Sequence, residues 1–270
     1  MGHRPVVTAT RPLRFDASAT PGGWADLPAA LARLQLATPV GEAVSCSLAW
    51  PSVAPGRPAA PMAGSGSRSA APAGGPLVAE LVADGGFAVE GIRRGGGRIL
   101  VDARRDRTLP DFVGAGMRLL VCGLNPSLVA ADAGFGYAGA TNRFWSVAVA
   151  AGMVTQPRDP LASLVVDGMG MTDLVKRATP NADSLTAAEY QAGAQRVGRL
   201  VEWLQPGVVV FVGLAGWRAA IDRRAVPGPQ PLPFAGTPAY VMPSTSGRNA
   251  RTTPAELAEH LRRALALSGR

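Results

Sequence analysis

The chain has 270 residues, with 27 Lys and Arg against 19 Asp and Glu, a formal net charge of +8 and a sequence pI near 10.8. At 47% hydrophobic and 17% charged residues it is too apolar to be wholly disordered. No uninterrupted apolar run approaches the roughly 18 residues of a membrane helix, so one soluble core plus an appendage is expected, with no membrane partner.

Cys46 and Cys122 make no disulfide framework. His3 and His260 are the only histidines and no CxxC or HExxH spacing occurs, so neither a metal nor a cofactor is expected. The N-terminal MGHRPVVTATRPLRF has arginines but no apolar stretch after them, which reads as a cytoplasmic protein, nucleoid-associated if bacterial. Lys176 is the only lysine, the other 26 cations being arginines. That bias is either compositional or a supply of planar forks for phosphates and base edges.

In chain order, residues 24–37 (WADLPAALARLQLA) repeat Leu27, Leu31 and Leu34 at helical spacing. Between Pro55 and Pro76, 19 of 22 residues are Pro, Gly, Ser or Ala without periodicity, the composition of a linker. Residues 1–76 are therefore expected to be a mostly disordered, low-complexity extension. Residues 77–107 read as a short helix, a strand from Phe87 to Ile92, a GGG turn and a strand from Arg98 to Ala103.

From residue 108 to 270 the pattern is that of an α/β domain. Arg118–Leu124, Gly207–Gly213 and Pro238–Met242 are short apolar runs bounded by turn residues, as in parallel strands buried on both faces. Thr186 with Glu189, and Thr253 with Pro254 and Glu256, mark helix starts. The expected fold is a three-layer α/β/α domain around a short, mainly parallel sheet, with chemistry at the carboxyl ends of the strands.

The first strand leads into GLNPSLVAADAGFGYAGATNRFW (residues 123–145), the third into MPSTSGRNA (242–250), and GMTDLVKRAT (170–179) lies between. These motifs, in this order and spacing, resemble those of the mismatch-specific uracil/thymine-DNA glycosylases of the uracil-DNA glycosylase superfamily: GINPG, an aromatic residue, NRFW, and a second motif of the MPSSSAR type. The resemblance runs from about Thr108 to the C-terminus and leaves residues 1–107 uncovered.

It implies a monofunctional, monomeric glycosylase that flips uracil, or thymine or another damaged pyrimidine, from a G·U-type mismatch in double-stranded DNA and leaves an abasic site. Asn125 is then the residue that positions the water, in a base pocket with Leu124, Tyr137 and Asn142. Tyr137 either stacks on the flipped base or packs on the core, and Asn142 either caps a helix or ties down the pocket loop. Asp173 departs from the family, which has Lys or Asn there. It is a general base, an acceptor for uracil N3–H, or a salt-bridge partner of Lys176 or Arg177.

The resemblance also implies that Ser244, Ser246, Gly247 and Arg248 form the DNA-binding wedge, with Arg248 either inserted opposite the orphaned guanine or merely solvated. Ser246 stands where another branch has a leucine wedge. The only lysine in the site segments is Lys176, which argues against a Schiff-base lyase step. Two other readings stay open: a non-catalytic protein that binds DNA damage, and a hydrolase of small nucleosides.

Overall fold

A computed structural model describes residues 12–49 and 75–269, which divide into one unit up to Asp106 and another from Arg107 onward. In the first unit, β1 (Pro12–Phe15) pairs in parallel with β2 (Ala43–Ala49), and α1 (Leu27–Ala37) lies between them in sequence. After α2 (Gly75–Asp84), the hairpin of β3 (Phe87–Gly95) and β4 (Arg98–Arg105) completes a sheet of order β1-β2-β4-β3. One face of this sheet is apolar because Val44, Cys46 and Leu48 alternate with polar or small residues and meet Ile99, Val101 and Ala103 of β4.

Part of the stretch 1–76, expected to be a mostly disordered extension, belongs to this unit. Residues 12–49 contribute two strands and a helix to the same sheet as the hairpin. The sequence hid β2 because AVSCSLA is built from Ala and Ser as much as from β-formers, so only its period-2 burial declares it. Most of the linker-like stretch lies outside the described residues.

The second unit holds β5 (Leu119–Gly123), α3 (Leu128–Ala133), α4 (Phe144–Ala150), α5 (Pro160–Asp167), β6 (Met169–Asp173), α6 (Ala187–Leu204), β7 (Val208–Val212), α7 (Leu214–Ala220), β8 (Gly228–Pro229), β9 (Ala239–Met242) and α8 (Pro254–Ala266). Its sheet has the order β6-β5-β7-β9-β8, parallel except for β8. Helices flank it, α4 packing with α8 and α6 with α7, which gives the expected three-layer α/β/α architecture.

The anticipated strands are β5, β7 and β9. All three are buried along their length, as parallel strands covered on both faces must be. Both capping boxes are formed: Thr186 Oγ1 accepts from Glu189 N at 3.2 Å, and Thr253 Oγ1 from Glu256 N at 3.2 Å. β6 escaped the sequence reading because MGMTD has a glycine, an acid and no β-branched run. Gly170 is closely packed there: a β-carbon would overlap Met117 Sδ.

From β5 the chain crosses to β6 on one side, and from β7 to β9 on the other. That reversal opens a crevice between the carboxyl ends of β5 and β7. Among the described residues no helix is long and apolar enough to cross a membrane.

Candidate active site

The crevice is a cavity of about 600 Å³. All nine residues singled out from sequence line it: Leu124, Asn125, Tyr137, Asn142, Asp173, Ser244, Ser246, Gly247 and Arg248. They come from the end of β6 and from the segments that follow β5 and β9.

The segments after β5 and β6 continue the sheet's ladder beyond its strands. Leu174 N donates to Gly123 O at 2.8 Å, Val175 N to Leu124 O at 2.9 Å and Thr179 N to Pro126 O at 3.1 Å. Asn125 sits inside this ladder. Its Nδ2 donates to Thr179 Oγ1 (2.7 Å), Arg177 O (3.0 Å) and Pro126 O (3.1 Å). Carbonyls only accept, so these partners fix the amide's orientation and leave Oδ1 as an acceptor for a ligand. Thr179, 2% exposed, lies within a motif quoted from the sequence but was given no role there.

Opposite lie Asp173 and Tyr137. Tyr137 stacks on Phe144 with ring centroids 4.1 Å apart and planes 20° off parallel, and Phe144 is fully buried. Tyr137 adopts a φ of +61°, a left-handed conformation that costs a non-glycine residue roughly 1–2 kcal/mol and persists where the surroundings dictate it. Its hydroxyl is buried and has no hydrogen-bond partner among the described residues.

Asp173 and that hydroxyl converge over Gly123, where a β-carbon would overlap Asp173 Oδ1 and come within 3.1 Å of the phenol oxygen. Burial pushes the Asp173 carboxyl up to about 6, although Lys176 and Arg196 pull the other way. The salt-bridge alternatives are taken elsewhere: Lys176 Nζ pairs with Asp111 at 2.8 Å and Arg177 Nε with Glu189 at 2.7 Å.

Asp111, 1% exposed, underlies this wall and was not anticipated. It accepts from Lys176, from Arg196 (2.7 Å) and from Thr172 Oγ1 (2.7 Å), while Arg196 also donates to the carbonyl of Asp173. Burial works against its charge, yet Arg196 and Lys176 hold the carboxyl below the usual range.

Asn142, one residue before the N-cap of α4, ties two segments together. Its Oδ1 accepts from Phe144 N at the start of α4 and from Thr245 Oγ1 across the cavity, each at 3.0 Å. Ser244 Oγ and Ser246 Oγ accept from the backbone N–H groups of Ser246 (3.2 Å) and Arg248 (3.3 Å), which curls the loop into two short turns. Gly247 presses on Thr141, where a β-carbon would sit 2.5 Å from Oγ1. The Arg248 side chain is exposed and makes no hydrogen bond or ion pair among the described residues.

Arg143, the second residue of NRFW, was missed because the motif drew attention to its neighbours. It reaches across to the carbonyls of the 244–252 loop. Among the described residues no group of three or more His, Cys, Asp or Glu could hold a metal ion.

A cavity at the strand ends with a fixed amide acceptor, an aromatic platform and an exposed arginine loop has the parts needed to receive an everted base. The sequence model of the uracil DNA glycosylase superfamily matches residues 110–266, which include every cavity-lining residue except Leu109. The chain belongs to the uracil DNA glycosylase superfamily, whose members are hydrolytic DNA glycosylases of base excision repair.

Proposed function

We propose that the protein is a monofunctional, mismatch-specific uracil-DNA glycosylase that acts as a monomer on duplex DNA, removes uracil from a G·U pair and leaves an abasic site. The observation that carries this reading is the state of Asn125, which lines the cavity: three protein acceptors consume its amide N–H groups, and no donor among the described residues bonds its Oδ1. An acceptor fixed in this way aligns a water for attack at the sugar without having to ionise. A weakly activated water suffices if the C–N bond breaks ahead of attack, leaving an oxocarbenium-like sugar, and turnover is then slow.

Asp173, near neutrality in its titration, supplies a second acceptor, either to the water or to uracil N3–H. Tyr137, backed by Phe144, extends a stack onto the flipped ring, worth about 1–3 kcal/mol. Ser244, Ser246 and Gly247 meet the phosphates beside the target, and Arg248 enters the vacated stack and bonds the orphaned guanine edge. No lysine lines the cavity, and Lys176 is held by Asp111, which favours hydrolysis over a Schiff-base lyase step.

The test is single-turnover cleavage, without added metal, of labelled duplexes carrying G·U, A·U or G·T and of single-stranded uracil, by wild type and Asn125→Ala. The expected outcome is preferential cutting of G·U and a loss of about 10²-fold or more in Asn125→Ala. Binding of G·U duplex without any cutting would replace the enzyme by a damage-marking protein.

A further inference from the structure

We infer that Arg143 is a positioning residue for duplex opening: it holds the Arg248 loop in its inserting shape before DNA arrives, and acts on the reaction only through that loop. The inference rests on the reading of that loop as the wedge. Residues 243–253 form no strand or helix, so their backbone carbonyls rely on turns and side chains, with Asn249 serving Ser246 O and Ser244 O from within the loop. Arg143 meets four of them. Its N–H donates to Thr245 O (3.0 Å), and its guanidinium to Thr252 O (2.7 Å), Asn249 O (2.7 Å) and, at 3.4 Å, Ser246 O.

No carboxylate pairs with Arg143 among the described residues, and it does not line the cavity. Its charge is met by loop carbonyls, so it is spent on the loop's shape. Two further ties act with it: Thr245 Oγ1 donates to Asn142, and Gly247 rests on Thr141. The next residue, Phe144, is the floor beneath Tyr137. The Arg143–Phe144 step therefore joins the wedge loop to the stacking platform, while the Arg248 side chain stays unengaged.

An ordered loop does not have to be immobilised at the moment the base leaves the stack, so its ordering cost is removed from the opening step. A planar fork with five N–H groups is needed to span carbonyls from residues 246 to 252. A lysine at 143 has the charge without the fork and satisfies only part of the set.

The experiment uses the full chain and a G·U duplex with 2-aminopurine beside the target, whose fluorescence rises when the stack is broken. The target sugar carries a 2′-fluoro-arabino group that resists hydrolysis, and cleavage is followed on the unmodified duplex. Wild type, Arg143→Lys, Arg143→Ala, Arg248→Ala and the double variant Arg143→Ala/Arg248→Ala are compared. Arg143→Lys and Arg248→Ala should each lower the opening signal and slow single-turnover cleavage at least tenfold. The double variant should be no slower than Arg248→Ala alone, because both changes disable one device.

Arg143→Lys opening DNA like wild type overturns the inference, as does a double penalty equal to the product of the two single ones. If Arg143→Ala does not fold, Arg143→Lys carries the test. Wild type that brightens the duplex yet never cuts sinks the glycosylase reading and leaves the clamp standing. Wild type that cuts while Arg143→Lys matches it sinks the clamp alone.

Discussion

Asp173 closes β6 with its backbone carbonyl held by Arg196 and its carboxylate bonded by no donor among the described residues. A carboxyl desolvated in this way resists ionisation, and burial outweighs the two nearby cations to bring it to about 6. Below that pH the group is protonated and above it ionised; activating the water as a base needs the ionised form, and accepting from uracil N3–H is stronger in it. The single-turnover rate should therefore climb with pH through about 6, tenfold per unit below it, and Asp173→Asn should flatten that limb. A limb that persists in Asp173→Asn assigns the titration to another group. Because the folded carboxyl ionises less readily than in the unfolded chain, ionising it costs stability as pH rises through this window. Asp173→Asn should consequently not destabilise the protein at neutral pH.

At the scale of the element, strand ends and loops build the site through backbone ladders and one buried ion cluster. Asp111 is enclosed and bonded to Lys176 and Arg196, whose side chains are 17% and 11% exposed. Asp111→Ala leaves two cations without their anion beneath the Asp173 wall. It should cost about 3–5 kcal/mol in a denaturant titration, as expected when one partner of a buried pair is removed. A loss under about 1 kcal/mol would show that water re-enters and solvates the cations. The candidate site was legible where chemistry sits in local motifs, at Asn125, Tyr137, Asn142 and the 244–248 loop. It was not legible where a residue works at long range: Asp111 meets Arg196 across 85 positions and Arg143 meets Asn249 across 106. Nothing local in the sequence announces such a pairing.

At the scale of the molecule, every cavity-lining residue falls between Leu109 and Asn249, inside the unit that starts at Arg107. That unit carries 16 Lys and Arg against 11 Asp and Glu, enough positive charge to meet a phosphate backbone. A chain cut to residues 107–270 should keep single-turnover cleavage of G·U duplex within a few-fold of the full protein. A loss of more than about tenfold with the truncated chain still folded would assign the first unit a part in binding DNA. For either form, log affinity should fall with log salt in proportion to the phosphates neutralised.

Read alone, the sequence determined the second unit's layers, three of its strands, both capping boxes and the nine residues that face one cavity. Hydrophobic runs, cap spacing and short motifs are local, and local spacing survives without the fold. Tertiary structure decided that residues 12–49 join the hairpin in one sheet, since Val44, Cys46 and Leu48 show their alternation only once β4 lies beside them. It also decided that Asp173 is desolvated rather than salt-bridged, which depends on Asp111 claiming Lys176 first. Burial and competition for partners are properties of the packed chain, and no stretch of sequence contains them.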